Sequence, residues 1–575
     1  MTSFAAPALA SGRRMPNRWD GVAMLLVMGL LIGLVDVGRS TLFTPLAANQ
    51  TATIHLDPSY LPFYALRTTA RMFAALFCSL FFTFTFATLA AKSRRAGLIL
   101  IPILDILQSV PILGFLSFTV VFFLNLFPGR VFGAELACIF AIFTSQAWNM
   151  AFSFYQSLRT VPEELTEAGR VFGLTGCARF WRIEAPFGMP ALIWNMMMSM
   201  SGGWFFVTIS EAISVGNTNI ALPGIGSYIA VAIAQKNLPA ILYAILAMLV
   251  VILVYDQLMF RPLVAWADRF RTDSEQSEEA PQSWALTVYR RSSLLDLLTT
   301  PFEQMMRWSY HWHPPHFGRR AALPEGGSKL ADYVWYAILT ALGLYGAWRI
   351  WEFAHANLTL ADLGQAFGLG VITMIRVLVL IALTSLVWTP IGVYVGMRPR
   401  LTQIVQPVAQ FLAAFPANIL FPLAVSLIVI FKLNPDIWLS PLMVLGTQWY
   451  ILFNVIAGAS VMPKELRDAS DNFGVRGWLW WRKVALPAVF PYYVTGAITA
   501  SGGSWNASIV AEVASWGTTT LHAHGLGGYI ADAVTKGDFR KVVIGTAVMS
   551  FFVVVINRLI WRPLYWLAER KYKLT

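Results

Sequence analysis

The chain is 575 residues long, 57% hydrophobic and 13% charged, with a mean hydropathy of +0.60 and a formal net charge of +12. Soluble domains carry about a quarter charged residues, so this composition excludes a soluble enzyme, and the scatter of Cys78, Cys138 and Cys177 argues against a disulfide framework or a cysteine metal site. In so apolar a chain, a basic excess marks cytoplasmic loops and gives no sign of nucleic-acid binding.

Residues 1–20, with Arg13, Arg14 and Arg18, read as a retained cytoplasmic tail, because the apolar run after them lacks a small-residue cleavage site. Runs such as "GVAMLLVMGLLIGLVDVG" and "AILYAILAMLVVILVY" approach the roughly 20 apolar residues that cross a bilayer as a helix. Six spans are predicted over residues 21–38, 67–91, 98–125, 131–157, 186–212 and 239–260, which make a first domain of 21–260. Residues 261–330 form a linker, in which "RTDSEQSEEAPQS" reads as disordered. The following "WALTVYRRSSLLDLLTTPFEQMMRW" is either a helix on the membrane surface or a plain tether. Its "HWHPPH" (His311, His313, His316) is not read as a metal site, since the prolines and the linker setting oppose one. Six further spans follow over 331–352, 367–396, 402–431, 437–460, 487–513 and 541–561, within a second domain of 331–575. The fold class is thus an all-α polytopic membrane protein of twelve helices.

Lysines and arginines fix its orientation. Arg94, Arg95, Arg170, Arg182 and Arg261 fall on one side, and Arg398, Arg400, Arg476, Lys483 and Arg570 repeat the pattern. The positive-inside rule puts that side, with both termini, in the cytoplasm. The two halves are related in sequence. Gly173 and Gly474, Pro186 and Pro487, Glu211 and Glu512, and Arg261 and Arg562 are each 301 residues apart. Pro111 with Pro416 and Arg71 with Arg376 are 305 apart, so a small indel separates the third span from the fourth. Six-span halves in one orientation are parallel repeats about an axis along the membrane normal, with a pathway expected between them.

A polar island before the fifth span occurs in both halves. The first holds Glu167, Ala168, Gly169, Gly173, Ile183 and Pro186, and the second Asp468, Ala469, Ser470, Gly474, Val484 and Pro487. "VPEEL" and "MPKEL" supply a proline and acids for a short helix that the glycine ends, or at which the glycine admits a partner. A second short helix is expected to run up to the proline. This layout resembles the EAA loop of ABC-importer permeases, which seats in a groove of the ATPase subunit. "VAEVASWGTTTLHAHGLGGYIADA" and "ISEAISVGNTNIALPGIGSYIAVA" extend the resemblance to the nitrate/sulfonate/taurine-type permeases. Asp468, Ser470 and Gly169 depart from the family pattern but keep size and polarity.

The resemblance implies a fused permease in a bacterial plasma membrane that moves a small anionic solute inward. Two cytoplasmic ABC ATPase domains and an external solute-binding protein are the implied partners. ATP and Mg²⁺ would sit on the ATPase, leaving no cofactor, metal or catalytic residue here. The chain has no G-x-x-x-x-G-K-[ST] phosphate loop; "GGSKL" lacks its spacing. Ionisable residues inside spans are functional candidates. Arg71 and Arg376 either snorkel to headgroups or flank a mouth that favours an anion. Glu211 and Glu512 fit capping and gate hydrogen bonding better than substrate contact. The small residues of "SGGW" and "SGGSW" are expected to pack helices closely at Gly202, Gly203, Gly502 and Gly503, with Trp204, Trp505 and Asn506 as weaker pathway candidates. The rival reading, an ion-gradient-driven secondary transporter, calls for a buried acid or histidine relay that the spans lack.

Overall fold

The structure, a computed structural model, describes residues 54–109, 111–215, 218–267, 284–291, 359–460, 462–517 and 519–571, with isolated residues between 270 and 352. The tail 1–20, the span 21–38, His311, His313 and His316 lie outside the described residues, as does most of the span 331–352. The chain divides into two compact units. One holds Gln156–Trp194 and Val254–Glu325, and the other Thr41–Tyr155, Asn195–Leu253 and Gly326–Thr575.

Seven described helices are long and apolar enough to cross a membrane: Pro58–Lys92, Val131–Arg159, Gly176–Ser210, Leu238–Ala267, Leu360–Gly396, Gly477–Ala511 and Phe539–Ala568. Two bent pairs, Pro399–Ala414 with Ala417–Ile430 at 76° and Pro435–Leu445 with Gln448–Ser460 at 45°, raise the count among described residues to nine. Lipid solvates no backbone group, so helices with internally satisfied hydrogen bonds are the expected solution.

The third spans differ from the unbroken segments predicted over 98–125 and 402–431. In the first half Arg94–Ser109 ends before Pro111, which caps a separate helix, Ile112–Leu126. In the second, Phe415 sits extended at φ −72°, ψ 128° before Pro416, and the chain re-enters helix at Ala417. Proline lacks the N–H that would continue the ladder and drives the preceding residue out of the helical region. Because Pro111 and Pro416 are counterparts, both halves break at the same place.

The fifth spans also depart from expectation, and in the opposite sense. The sequence predicts a separate short helix running up to Pro186, and another up to Pro487. Instead Gly176–Arg179, a π-turn at Phe180–Glu184 and Ala185–Ser210 make one continuous rod. Gly477–Trp480, the π-turn Trp481–Ala485 and Leu486–Ala511 repeat it. Proline is tolerated because the widened turn shifts the carbonyls that its ring would strike and that its missing N–H would leave unbonded.

Each fifth helix runs into an antiparallel hairpin that the sequence patterning did not reveal. Strands β1 (Ala212–Val215) and β2 (Thr218–Ala221) pair Ala212 with Ala221, and β3 (Val513–Trp516) and β4 (Thr519–His522) pair Val513 with His522. A short helix follows each, Ile225–Ala234 or Leu526–Lys536.

Candidate functional site

The first island is the helix Glu163–Val171, with Pro162 at its N-cap and two acids, Glu163 and Glu164, in its first turn. Acids at that end oppose the positive pole of the helix dipole. The helix stops in a Schellman turn. Leu174 N–H donates to the Gly169 carbonyl (3.0 Å) and Gly173 N–H to the Arg170 carbonyl (2.9 Å), with Gly173 at φ +66°. That left-handed backbone is what the glycine provides, since a Cβ there would meet open space. Gly169 answers to sterics instead, because a Cβ on it would come within 2.7 Å of Ile183 Cδ1. The two ends of the motif therefore touch. Glu167, Ala168 and Phe172 stay exposed, Pro186 is half-buried beyond the π-turn, and Arg179 pairs with Glu184 at 3.2 Å.

The second island, Lys464–Asn472, ends the same way: Val475 N–H to the Ser470 carbonyl (2.9 Å), Gly474 N–H to the Asp471 carbonyl (3.0 Å), Gly474 at φ +64°. Ser470 and Val484 are both buried here. A larger residue than Gly169 thus stands in register with a smaller one than Ile183, which conserves the packed volume. Asp468 is exposed, Ala469 and Pro487 are half-buried, and Phe473 at the tip is 83% exposed, as its counterpart Phe172 is 72%.

Arg71, Glu211 and their counterparts meet in two buried clusters. Arg71 donates bidentately to Glu135 (Nε at 2.6 Å, Nη2 at 2.7 Å) and through Nη1 to Glu211 (2.6 Å) and the Pro223 carbonyl (3.0 Å). Glu211 also accepts from the Thr68 hydroxyl (2.7 Å) and the Gly226 N–H (2.7 Å). A Cβ on Gly224 would collide with that carboxylate. In the second copy Arg376 Nη1 donates to Glu512 (2.8 Å), which accepts from Thr373 (2.8 Å) and the Gly528 N–H (2.8 Å). Its other acid, Asp436, lies 3.6 Å away and accepts from His524 N–H at 2.7 Å. Sequence reading missed Glu135 and Asp436, although they stand 301 residues apart and the spacing itself could have exposed them.

A cavity of about 660 Å³ lies among helices drawn from both sequence repeats. Thr144, Asn149, Ser201, Thr447, Tyr450 and Asn506 supply polar lining, Trp505 an aromatic wall, and Arg558 and Arg562 the only charges among described lining residues. Asn506 Oδ1 accepts from the Ile112 N–H at 2.8 Å, so it satisfies a donor freed by the break at Pro111. Trp204 is fully buried and does not line the cavity. The glycine pairs split in role. Gly203 and Gly503 pack closely, with a Cβ 2.7 Å from Gln146 Nε2 and 2.6 Å from Thr447 Cγ2, whereas Gly202 and Gly502 meet nothing and line the cavity, against the expectation of packing at all four. Among the described residues no cluster of side chains suited to a metal occurs.

Comparison with known proteins follows the same duplication. The family described as "Binding-protein-dependent transport system inner membrane component" matches twice, over residues 83–261 and 389–569. The bicarbonate transport system permease protein CmpB of Synechococcus elongatus is 24% identical over 179 residues, 31% of this chain and 61% of that protein. The nitrate import permease protein NrtB of Leptolyngbya laminosa is 23% identical over 185 residues, 32% of this chain and 63% of its own. The glycine betaine/proline betaine transport system permease protein ProW of Escherichia coli is 23% identical over 220 residues, 37% and 58%. The chain thus spans about three-fifths of the length of each relative. With two copies of the family's domain in one multi-pass polypeptide, this chain belongs to the binding-protein-dependent transport system inner membrane components.

Proposed function

We propose that this chain is the membrane permease of an ATP-driven importer, with both permease domains fused, and that it carries a small anion inward. The duplicated docking loop carries the reading. In each repeat a short acid-led helix ends on a left-handed glycine and leaves an aromatic tip, Phe172 or Phe473, standing in water. An exposed aromatic beside charges gains from burial against a partner protein. Two such seats fit two ABC ATPase domains, which would hold the ATP and Mg²⁺, with a solute-binding protein delivering cargo on the opposite face. Closure of the ATPases would push both seats, rock the repeats and open the intervening cavity to each side in turn. Relatives named for bicarbonate and nitrate support an anionic solute.

The test assembles the chain with candidate ATPases in proteoliposomes and measures solute-stimulated ATP hydrolysis. Gly173→Leu with Gly474→Leu forces a bulky residue into left-handed backbone at about 1–2 kcal/mol per site. We expect coupled hydrolysis and uptake to fall at least tenfold while helix content stays unchanged. Uptake that survives this double substitution, or that runs on an ion gradient with no ATPase present, overturns the proposal.

A further inference from the structure

The cavity's charge is asymmetric, and the two repeats explain why. The second repeat's last membrane helix contributes eight residues between Val553 and Tyr565 to the lining, Asn557, Arg558 and Arg562 among them. They make up a broad face of the helix. Leu559 and Trp566, 72% and 53% exposed, fall off that face and do not line the cavity. Arg558 and Arg562 both line the cavity. Both are exposed, no Asp, Glu or Lys lines the cavity with them, and neither has a carboxylate partner among the described residues.

The first repeat treats the same positions differently. The residues 301 earlier than Asn557, Arg558 and Arg562 are Asp256, Gln257 and Arg261. There Arg261 Nε pairs with Asp256 Oδ2 at 3.1 Å, across a π-turn, Asp256–Phe260, that matches Asn557–Trp561. One copy thus quenches its arginine with an acid five positions before it, and the other has an amide, Asn557, in place of that acid and adds a second arginine. The remaining polar lining consists of hydroxyls and amides, which can donate to an anion's oxygens without adding negative charge.

The geometry points to Arg558 and Arg562 as the residues that make the cavity selective for anions, supplied by one repeat alone. This rests on the importer reading for its transport consequence but not for its electrostatics. A two-positive wall raises the local concentration of an anion and lowers that of a cation, and the effect shrinks with added salt. Guanidinium forks also match the planar oxygens of carbonate- or nitrate-like solutes.

The first arm of the test uses the full chain without any partner. Cys78 and Cys177 are replaced by serine, and a thiol is introduced by Gly502→Cys, where a Cβ meets open space in the cavity wall. Its reaction rates with an anionic and a cationic methanethiosulfonate are compared at low and high salt. We expect the anionic reagent to be favoured, and the preference to fall about three- to tenfold in Arg558→Gln with Arg562→Gln. Asn557→Asp keeps both arginines and places an acid where the first repeat has one, so it should lower the preference in the same direction without deleting a side chain. Arg558→Lys with Arg562→Lys should retain it. An anion preference that is absent, or unchanged in both the Gln pair and Asn557→Asp, overturns the inference.

The second arm measures ATP-driven uptake of nitrate and of bicarbonate by the assembled transporter. We expect the KM for whichever anion is carried to rise several-fold in the Gln pair and to recover in the Lys pair. If neither anion is carried while the thiol preference responds as described, the transport reading fails and the anion-selective cavity stands.

Discussion

Glu211 and Glu512 occupy the point where the fifth helix gives way to the hairpin, each wholly buried. A carboxylate buried there is tolerable only if its charge and lone pairs are met, and the counterpart clusters meet them with arginine, threonine hydroxyl and backbone N–H. The copies differ by one methylene. Glu135 reaches Arg71 at 2.6 Å with both side chains 3% exposed, whereas the shorter Asp436 stops 3.6 Å from Arg376 and is 38% exposed. Water therefore screens the second cluster and leaves the first in low dielectric. Arg71→Ala strands Glu135 and Glu211 together and should cost about 3–5 kcal/mol; Arg376→Ala should cost measurably less, because Asp436 can rehydrate. Thermal unfolding of the two single variants in the same detergent checks the order, and equal losses would contradict it. Arg71→Lys should recover little, since a point charge cannot reproduce the bidentate fork. At this scale the sequence was half legible. Arg71 and Glu211 announced themselves as ionisable residues in apolar spans, but nothing local said that each would consume the other's charge.

Proline governs the elements in two opposite ways. At Pro111 and Pro416 it ends one helix and starts another, while Pro186, Pro487, Pro262 and Pro563 each stand two residues beyond a π-turn inside an uninterrupted helix. Both patterns recur at counterpart positions, so they belong to the repeat unit and not to accident. Hydropathy located the apolar centre of each described span, because apolar length is the dominant signal in lipid, while several helices run seven to ten residues past the predicted ends. It could not separate a proline that breaks a helix from one absorbed by a widened turn, since that depends on how neighbouring carbonyls tilt. The four-residue hairpin strands were equally hidden, being too short to show alternation. A π-turn carries one residue more than the α-helix it interrupts, which makes its removal a clean perturbation. Deleting the exposed Lys483 from Trp481–Ala485 should turn the preceding segment, the proposed docking loop, by about 100° about the helix axis. We expect unchanged helix content by circular dichroism and at least a tenfold loss of ATPase stimulation in the assembled transporter. Stimulation that persists would mean the seat is positioned by something other than the fifth helix.

For the whole molecule, duplication gives each repeat a like hairpin, and the hairpins are one of the places where the repeats meet within the second compact unit. Strand β1 of the first repeat packs on the helix Leu526–Lys536 of the second, and β3 of the second packs on Ile225–Ala234 of the first. The second contact is pinned by a hydrogen bond from Gly517 N–H to the Ile233 carbonyl at 3.0 Å. Gly517 has φ +61° and lies so close to Lys236 that a Cβ would come 2.7 Å from its Cγ. The hairpins follow the fifth helices in sequence, past the residues of those helices that line the cavity. The alternating-access cycle proposed above would require such a contact to be released once per cycle. Lys236→Cys with Gly517→Cys would bring two Cβ atoms within the disulfide reach of about 3.5–4.5 Å. We expect oxidation to stop ATP-driven uptake almost completely and a reductant to restore it, while either single cysteine variant stays insensitive to oxidant. A crosslink verified by the gel shift of a chain nicked between the two sites, with uptake undiminished, would show that these hairpins remain joined throughout transport and that the opening lies elsewhere.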